Sequence, residues 1–365
     1  MSKVAKPGSR PGSYEVPLQF DFFESDGRGV TQTIALWDVA PRGVYRVGAD
    51  LAPDAGVRVI KRTFNYGGMT YNLALTPAIL ERDGVSVTKY PSDREQLVEE
   101  VVRQIAVQRG RMHRDDNGDI GVSFSMYQVF KELIRTGHRL NYAEIREALM
   151  VLHSSKIEIW RAAPKAKEVL VSGTTFPMLA LAGEDSESEI TVTFNWLIAK
   201  AIMTLNFRQM DYELLMSLPG PIERWLYRFF AHEMLYLGKD SDERVFTASD
   251  IAESCGVVKR SRIRDTFRRI TQALGGLKTS GILAEVSARP VKEGKRIVEV
   301  EYRVRLSAKF VRSLRDADQA ALRMREDFKV ITGQDPDAFV PSSPERRKAL
   351  RDRRREHATS LSIAT

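Results

Sequence analysis

A chain of 365 residues with a single cysteine has few covalent or metal-binding options. Cys255 stands alone, which excludes an internal disulfide framework and any zinc site built on cysteine. That usage fits a reducing compartment, and a cytoplasmic location is expected. Apolar runs are short, and none approaches the ~20 residues needed to span a bilayer. A soluble protein with no membrane partner is therefore expected. The N-terminus carries basic residues without the apolar stretch of a secretory signal, so none is expected there.

Catalytic patterns are also scarce. The five histidines, at 113, 138, 153, 232 and 357, form no His-x-His pair beside a candidate tyrosine. That argues against a strand-nicking enzyme of the two-histidine type. The stretch GGLKTSG, 275–281, has no glycine directly before its lysine and follows a helical pattern rather than a strand, so it is not a phosphate-binding loop. Asp115, Asp116, Asn117 and Asp119 lie close together, but no glutamate follows at the position that a calcium loop requires. The expectation is a protein that is not an enzyme and has neither metal nor cofactor.

What the chain does have is apolar periodicity. Hydrophobic residues make up 43% of it, enough for a sizeable core, and its length suits roughly two domains with appendages. Residues 1–17 are too rich in Gly, Pro, Ser and Lys to fold firmly, and read as a flexible tail. An extension over 26–91 holds a β-hairpin around Gly67-Gly68 and a short strand at 85–90. Ser92 and Glu95 have capping-box spacing, and Leu97, Val101 and Ile105 recur at helical period, predicting a helix over about 93–108. Met126, Val129, Phe130, Leu133 and Ile134 mark a second helix ended by Gly137, and Tyr142, Ile145, Leu149 and Leu152 a third. Strands are expected at 156–160, 168–182 and 189–195, a largely helical stretch over 196–217, and an apolar helix after the Pro219-Gly220-Pro221 break. Thr247 and Asp250 start a further capped helix. The next helix is followed by two strands around the basic turn ARPVKEGKR, and a charged helical or disordered tail is expected over 313–365.

An internal repeat organises these elements. Ile145, Leu149, Leu152, Ser155 and Ile157 lie 125 residues before Ile270, Leu274, Leu277, Ser280 and Ile282. In both copies two helices across a glycine-containing turn precede a strand pair, which is the order of a winged helix-turn-helix unit. The fold class expected is α+β, with tandem winged helix-turn-helix domains at 92–237 and 238–312.

Charge separates the two copies. Between Lys259 and Arg312 there are fifteen Lys and Arg against five Asp and Glu, a local excess of ten in a chain of net charge +8. With Ile263, Phe267, Ile270 and Leu274 turned to the core, Ser261, Arg262, Asp265, Arg268, Arg269 and Gln272 point outward. Arg264 belongs to the same basic helix. Arginine reads guanine bidentately and glutamine reads adenine. Lys259 and Arg260 at the helix start suit phosphates, as do Lys292, Lys295 and Arg296 at the wing tip. In the first copy Arg135, His138, Arg139 and Arg146, with Lys165 and Lys167 in the wing, give a weaker basic signal that Glu144 and Glu147 dilute. Double-stranded DNA is the expected partner.

Tandem winged helices, an apolar joining helix and a charge-concentrated second domain resemble plasmid replication initiators of the RepA/TrfA type. The stretch LNFRQMDYELLMSLPGPIERWLYRFFAHEM, 205–234, is similar to their junction region. The resemblance covers about residues 57–312. It implies binding to repeated plasmid-origin sites, opening of an adjacent AT-rich region, recruitment of the replicative helicase, and a homodimer in equilibrium with monomer. In that scheme the first unit carries the dimer surface and auxiliary DNA contacts. A transcriptional regulator or a partition or architectural protein is the alternative. Within 18–25, Gln19, Phe20, Asp21, Phe22 and Phe23 are similar to the peptides with which replication proteins dock on the bacterial sliding clamp. Phe20 and Phe22 stand where leucines are usual. Burial of these phenylalanines in the protein's own N-terminal region is the other reading.

Overall fold

Short polar side chains set the helix starts along this chain. The computed structural model describes residues 30–45, 58–82, 84–108, 110–115, 118–162, 168–183, 185–233, 243–257 and 263–338. It opens with β1 (Val30–Thr33), α1 (Ala35–Val39), β2 (Ile60–Tyr66), β3 (Met69–Thr76), β4 (Ala78–Arg82) and β5 (Val85–Lys89). The first helix-turn-helix region follows as α2 (Asp93–Val107), β6 (Met112–Arg114), β7 (Ile120–Ser125), α3 (Met126–Arg135), α4 (Tyr142–Ser154), β8 (Lys156–Arg161) and β9 (Glu168–Thr174). Next come β10 (Leu179–Leu181), β11 (Glu189–Thr193), α5 (Trp196–Met203), β12 (Arg208–Asp211), α6 (Tyr212–Ser217) and α7 (Pro221–Glu233). The second region is β13 (Glu243–Thr247), α8 (Ala248–Cys255), α9 (Ile263–Thr279), β14 (Leu283–Glu293), β15 (Arg296–Leu306) and α10 (Ala308–Thr332).

The two predicted caps, at Ser92 and Thr247, form, and two more appear. At the start of α2 the Ser92 amide donates to Glu95 at 2.8 Å. Ser125 and Asn141 cap α3 and α4 reciprocally with Gln128 and Glu144, and Thr247 does the same with Asp250 for α8. Each such cap contributes about 1 kcal/mol. Gly67 and Gly68 both take positive φ, 57° and 73°, giving the tight turn between β2 and β3.

The fold is α+β with two apolar cores. The first gathers α2 to α5 and the strands β3, β7, β8 and β11. The second gathers α6 to α9 with β14 and β15. The apolar side of α7 (Ile222, Trp225, Leu226, Phe230) therefore lies in the second core, although the sequence groups this helix with the first domain.

All named strand pairs are antiparallel, and the sheets run β10-β11-β7-β6, β2-β3-β8-β9 and β13-β15-β14, with separate pairs β1-β12 and β4-β5. In the first region the strand pair β8-β9 is thus extended by the N-terminal hairpin rather than by β7. The second region has the β13-β15-β14 order of a winged helix.

Two expectations need correcting. The stretch 196–217 is interrupted by β12, because β1 arrives from the N-terminal extension to pair with it, Val30 opposite Asp211. Leu205, at φ 52°, ends the helix before it. The predicted strand 168–182 breaks into β9 and β10 around the buried Phe176. The chain beyond 313 begins as the greater part of α10, which is anchored at both ends. Phe310 and Leu314 lie in the second core, and Phe328 is buried in the first. Asp318 pairs with Arg208 at 2.5 Å, and Arg325 donates to the Thr204 carbonyl at 2.6 Å.

The extension is also structural. Helix α2 is buried on every side from Leu97 onward, because residues 30–45 and α7 cover its polar face. Glu99 accepts from Trp37 Nε1 at 2.8 Å and pairs with Arg42 at 2.9 Å. Arg103 holds Asp38 at 2.6 Å, and Arg228 of α7 holds Glu100 at 2.6 Å. Burial alone would raise the Asp38 carboxyl, but Arg103 keeps it far below the usual carboxylate range. Such buried pairs add little net stability, yet breaking one costs roughly 3–5 kcal/mol. His232 sits beside them, 2.8 Å from the Thr33 hydroxyl, and burial pushes its pKa down to about 3.

Candidate nucleic-acid interface

In the second region α8 ends at Gly256 in the left-handed conformation. Helix α9 then lays Phe267, Ile270, Leu274 and Leu277 into the core. The Tyr302 hydroxyl of β15 donates to the Phe267 carbonyl at 3.1 Å and meets the Thr271 hydroxyl at 2.7 Å, tying α9 to the sheet. Ile263, expected on the core stripe, is instead 38% exposed, because the first turn of α9 runs past the core.

The opposite side of α9 presents Arg264, Arg268 and Gln272 to solvent, and Lys278 is exposed near its C-terminal end. Arg268 makes only a 3.4 Å pair with Asp265 and its side chain stays 71% exposed. The expected basic turn 288–296 is mostly strand. β14 and β15 continue to Glu293 and Arg296, which oppose each other, and Gly294 at φ 60° closes the turn with Lys295. Arg289, Lys292, Lys295 and Arg296 are exposed along this hairpin, and Lys309 and Arg312 are exposed at the start of α10. Among the described residues, Arg264, Lys278, Arg289, Lys292, Lys295, Arg296, Lys309 and Arg312 have no ion-pair partner. Lys278, Arg289, Lys309 and Arg312 belong to the basic segment in sequence, but helical and strand periodicity alone did not single them out.

Three arginines of the segment are neutralised. Arg303 pairs with Glu243 at 3.5 Å and Arg305 with Glu285 at 2.5 Å, on the outer face of the sheet. Arg269, expected to point outward with Arg268, turns the other way. It binds both carboxylate oxygens of Glu223 on α7, at 2.9 and 3.0 Å. The reason is the close packing of α7 on that flank of α9. Lys259, Arg260, Ser261 and Arg262 lie outside the described residues.

The first region answers differently. Arg135, expected to face DNA, is held by Glu132 at 2.7 Å and Glu213 at 2.8 Å. His138 bonds the Met216 carbonyl at 3.0 Å. Arg139 is exposed and Arg146 half-buried, both without an ion-pair partner among the described residues. Beside them stand exposed Tyr142 and Met150. Lys165 and Lys167, and the whole Gln19–Phe23 peptide, lie outside the described residues.

Among the described residues, no group of His, Cys, Asp and Glu is arranged to hold a metal ion, and no helix is long and apolar enough to cross a membrane. The Cys255 thiol is buried, which pushes its pKa up to about 12.

No protein-family model matches the chain, and no curated relative does. Solved structures with a similar arrangement include domains 2 and 3 of RctB, at a TM-score of 0.47 and 8% identity over 76% of this chain and 99% of that one. A second structure of RctB domains 2–3 gives 0.43 and 10% identity, over 75% and 97%. The Pi initiator protein in complex with iteron DNA gives 0.38 and 12% identity, over 59% and 93%. All three scores lie below 0.5. The chain's own geometry defines an α+β protein with two helix-turn-helix regions, one of which carries an unpaired basic face.

Proposed function

We propose that the protein binds duplex DNA through its second region and initiates plasmid replication at repeated origin sites. The observation that carries the DNA reading is the set of unpaired basic side chains on α9, the β14-β15 hairpin and the start of α10, opposite the core stripe of the same unit. Arg264, Arg268 and Gln272 face the major groove and supply base contacts. Lys292, Lys295 and Arg296 lie along phosphates, with Lys259, Arg260, Ser261 and Arg262 contributing at the helix start. No hydrolysis by the protein is needed, because many phosphate contacts offset the cost of bending and opening the duplex.

The initiator part rests on the RepA/TrfA-type resemblance. In that scheme the first region supplies the dimer surface, with Arg139 and Arg146 as auxiliary contacts. Gln19, Phe20, Asp21, Phe22 and Phe23 dock on the sliding clamp, and the replicative helicase is recruited to the opened origin. The protein works in the cytoplasm without a cofactor. Probing a supercoiled cognate plasmid with a single-strand-specific reagent tests this directly. Protein-dependent reactivity beside the bound repeats is expected. Tight binding with no melting and no replication dependence would favour a transcriptional regulator or partition protein and sink the initiator reading. A pull-down in which the variant Gln19→Ala with Phe22→Ala still holds the clamp at wild-type level would end the clamp assignment.

A further inference from the structure

The joining helix α7 carries one carboxylate aimed at the DNA-facing helix. Glu223 is 2% exposed, and both its oxygens bind the Arg269 guanidinium in a fork, at 2.9 and 3.0 Å. A forked pair of this kind fixes orientation as well as distance. Room for it is built into the backbone. A Cβ placed on Gly220 would fall 2.6 Å from Arg269 Nη2 and 2.7 Å from a Glu223 oxygen, closer than real contacts allow. Across the pair, Gly276 of α9 lies against the Glu223 stem, where a Cβ would sit 3.7 Å from Cγ. The Pro219-Gly220-Pro221 break thus leaves a socket as well as stopping a helix. The next residue, Arg224, reaches back to the Leu218 carbonyl at 2.8 Å and to Asp93 at the start of α2. The socket is therefore tied to the first region.

We infer that Glu223, Gly220 and Arg269 form a positioning device that sets the roll of α9, and so decides whether Arg264, Arg268 and Gln272 meet base edges in register. Arg269 is then a positioning residue and touches neither base nor phosphate. The inference rests on the DNA-binding reading above and assigns a specificity role to a helix outside the interface. Losing register removes directional base contacts and leaves non-directional phosphate attraction in place, so the two are separable in measurement.

The test uses the full chain and two duplexes: one selected from a random-sequence pool by the wild-type protein, and a scrambled version of it. Affinities are measured over a salt series. Glu223→Gln and Gly220→Ala are expected to lower the selected-to-scrambled affinity ratio by about tenfold, the worth of one misaligned bidentate contact. Binding to the scrambled duplex and its salt slope stay at wild-type values. A variant that merely unfolds loses both affinities together, so the ratio separates positioning from general destabilisation. The exchange Glu223→Arg with Arg269→Glu is expected to restore most of the ratio. Glu223→Gln at the wild-type ratio would overturn the inference. So would Arg269→Ala lowering the salt slope by about one, the mark of a lost phosphate contact. Wild-type protein that bound neither duplex would overturn the DNA-binding reading itself, and the positioning role with it.

Discussion

Helices α4 and α9 bury the same residue types at the same spacing, yet they present different surfaces. Ile145, Leu149, Leu152 and Ile157 in the first region and Ile270, Leu274, Leu277 and Ile282 in the second are all at most 1% exposed. Ser155 is buried whereas Ser280 is exposed, so the match is a matter of core spacing. Around α4 several charges are spent internally, with Glu147 held by Lys89 and Arg94 and Arg135 by two glutamates. Only Arg139 and Arg146 are left without an ion-pair partner among the described lysines and arginines of that helix pair's turn and second helix. Around α9 most basic groups are left free. One apolar pattern thus builds two similar frames, and the residues between the stripe positions decide what each frame meets.

The largest expected effect tests whether the two regions are joined through α10. Phe328→Ala should cost about 3–5 kcal/mol of stability by denaturant titration, because it empties a buried ring from the first core. Leu322→Ala on the exposed side of the same helix should stay within about 0.5 kcal/mol. A small effect at Phe328 would mean that the helix end is not docked.

The junction has its own signature. His232 titrates near 3 when folded against an ordinary 6.5. Below pH 6.5 the unfolded chain takes up a proton that the folded chain refuses. Stability is therefore full above 6.5 and falls as pH drops toward 3, by about 3 kcal/mol between pH 7 and pH 4 from this group. Replacing His232 with Gln should flatten that part of the pH-stability curve. An unchanged slope would remove His232 as its source.

On the DNA side, replacing Lys292, Lys295 and Arg296 together with alanine should lower the salt slope by about three and the affinity by on the order of 100-fold at moderate salt. Arg268→Ala should cost roughly 1–3 kcal/mol on a selected sequence and little on a scrambled one. The smallest effect is expected in the first region, where the Arg139→Ala, Arg146→Ala double variant should change affinity by less than about threefold. If that variant matched the hairpin triple, the contrast between the two regions would fail.

Much of the frame was legible along the chain. Capping residues and 3.6-residue stripes work through neighbours a few positions away, so Ser92 and Thr247 could be placed without a structure. The Gly67-Gly68 hairpin was legible for the same reason. β4 and β12 were not, because their pairing partners do not reveal themselves in their own short sequences, and β12 reads as part of a helical run. Arg268 and Arg269 are adjacent and chemically identical, and helical geometry put both outside. Only the position of α7, with Glu223 aimed at one of them, separates their roles.

The sequence by itself determined the two helix-turn-helix frames, their caps and the concentration of positive charge in the second, since each depends on local spacing and composition. The tertiary structure alone decided which charges remain free. It threaded residues 30–45 over the polar face of α2, placed α7 against α9, and folded α10 back across both cores. Each of these contacts joins residues far apart in sequence, where no local pattern specifies the partner, and an arginine's role is set by whether a carboxylate is brought to it.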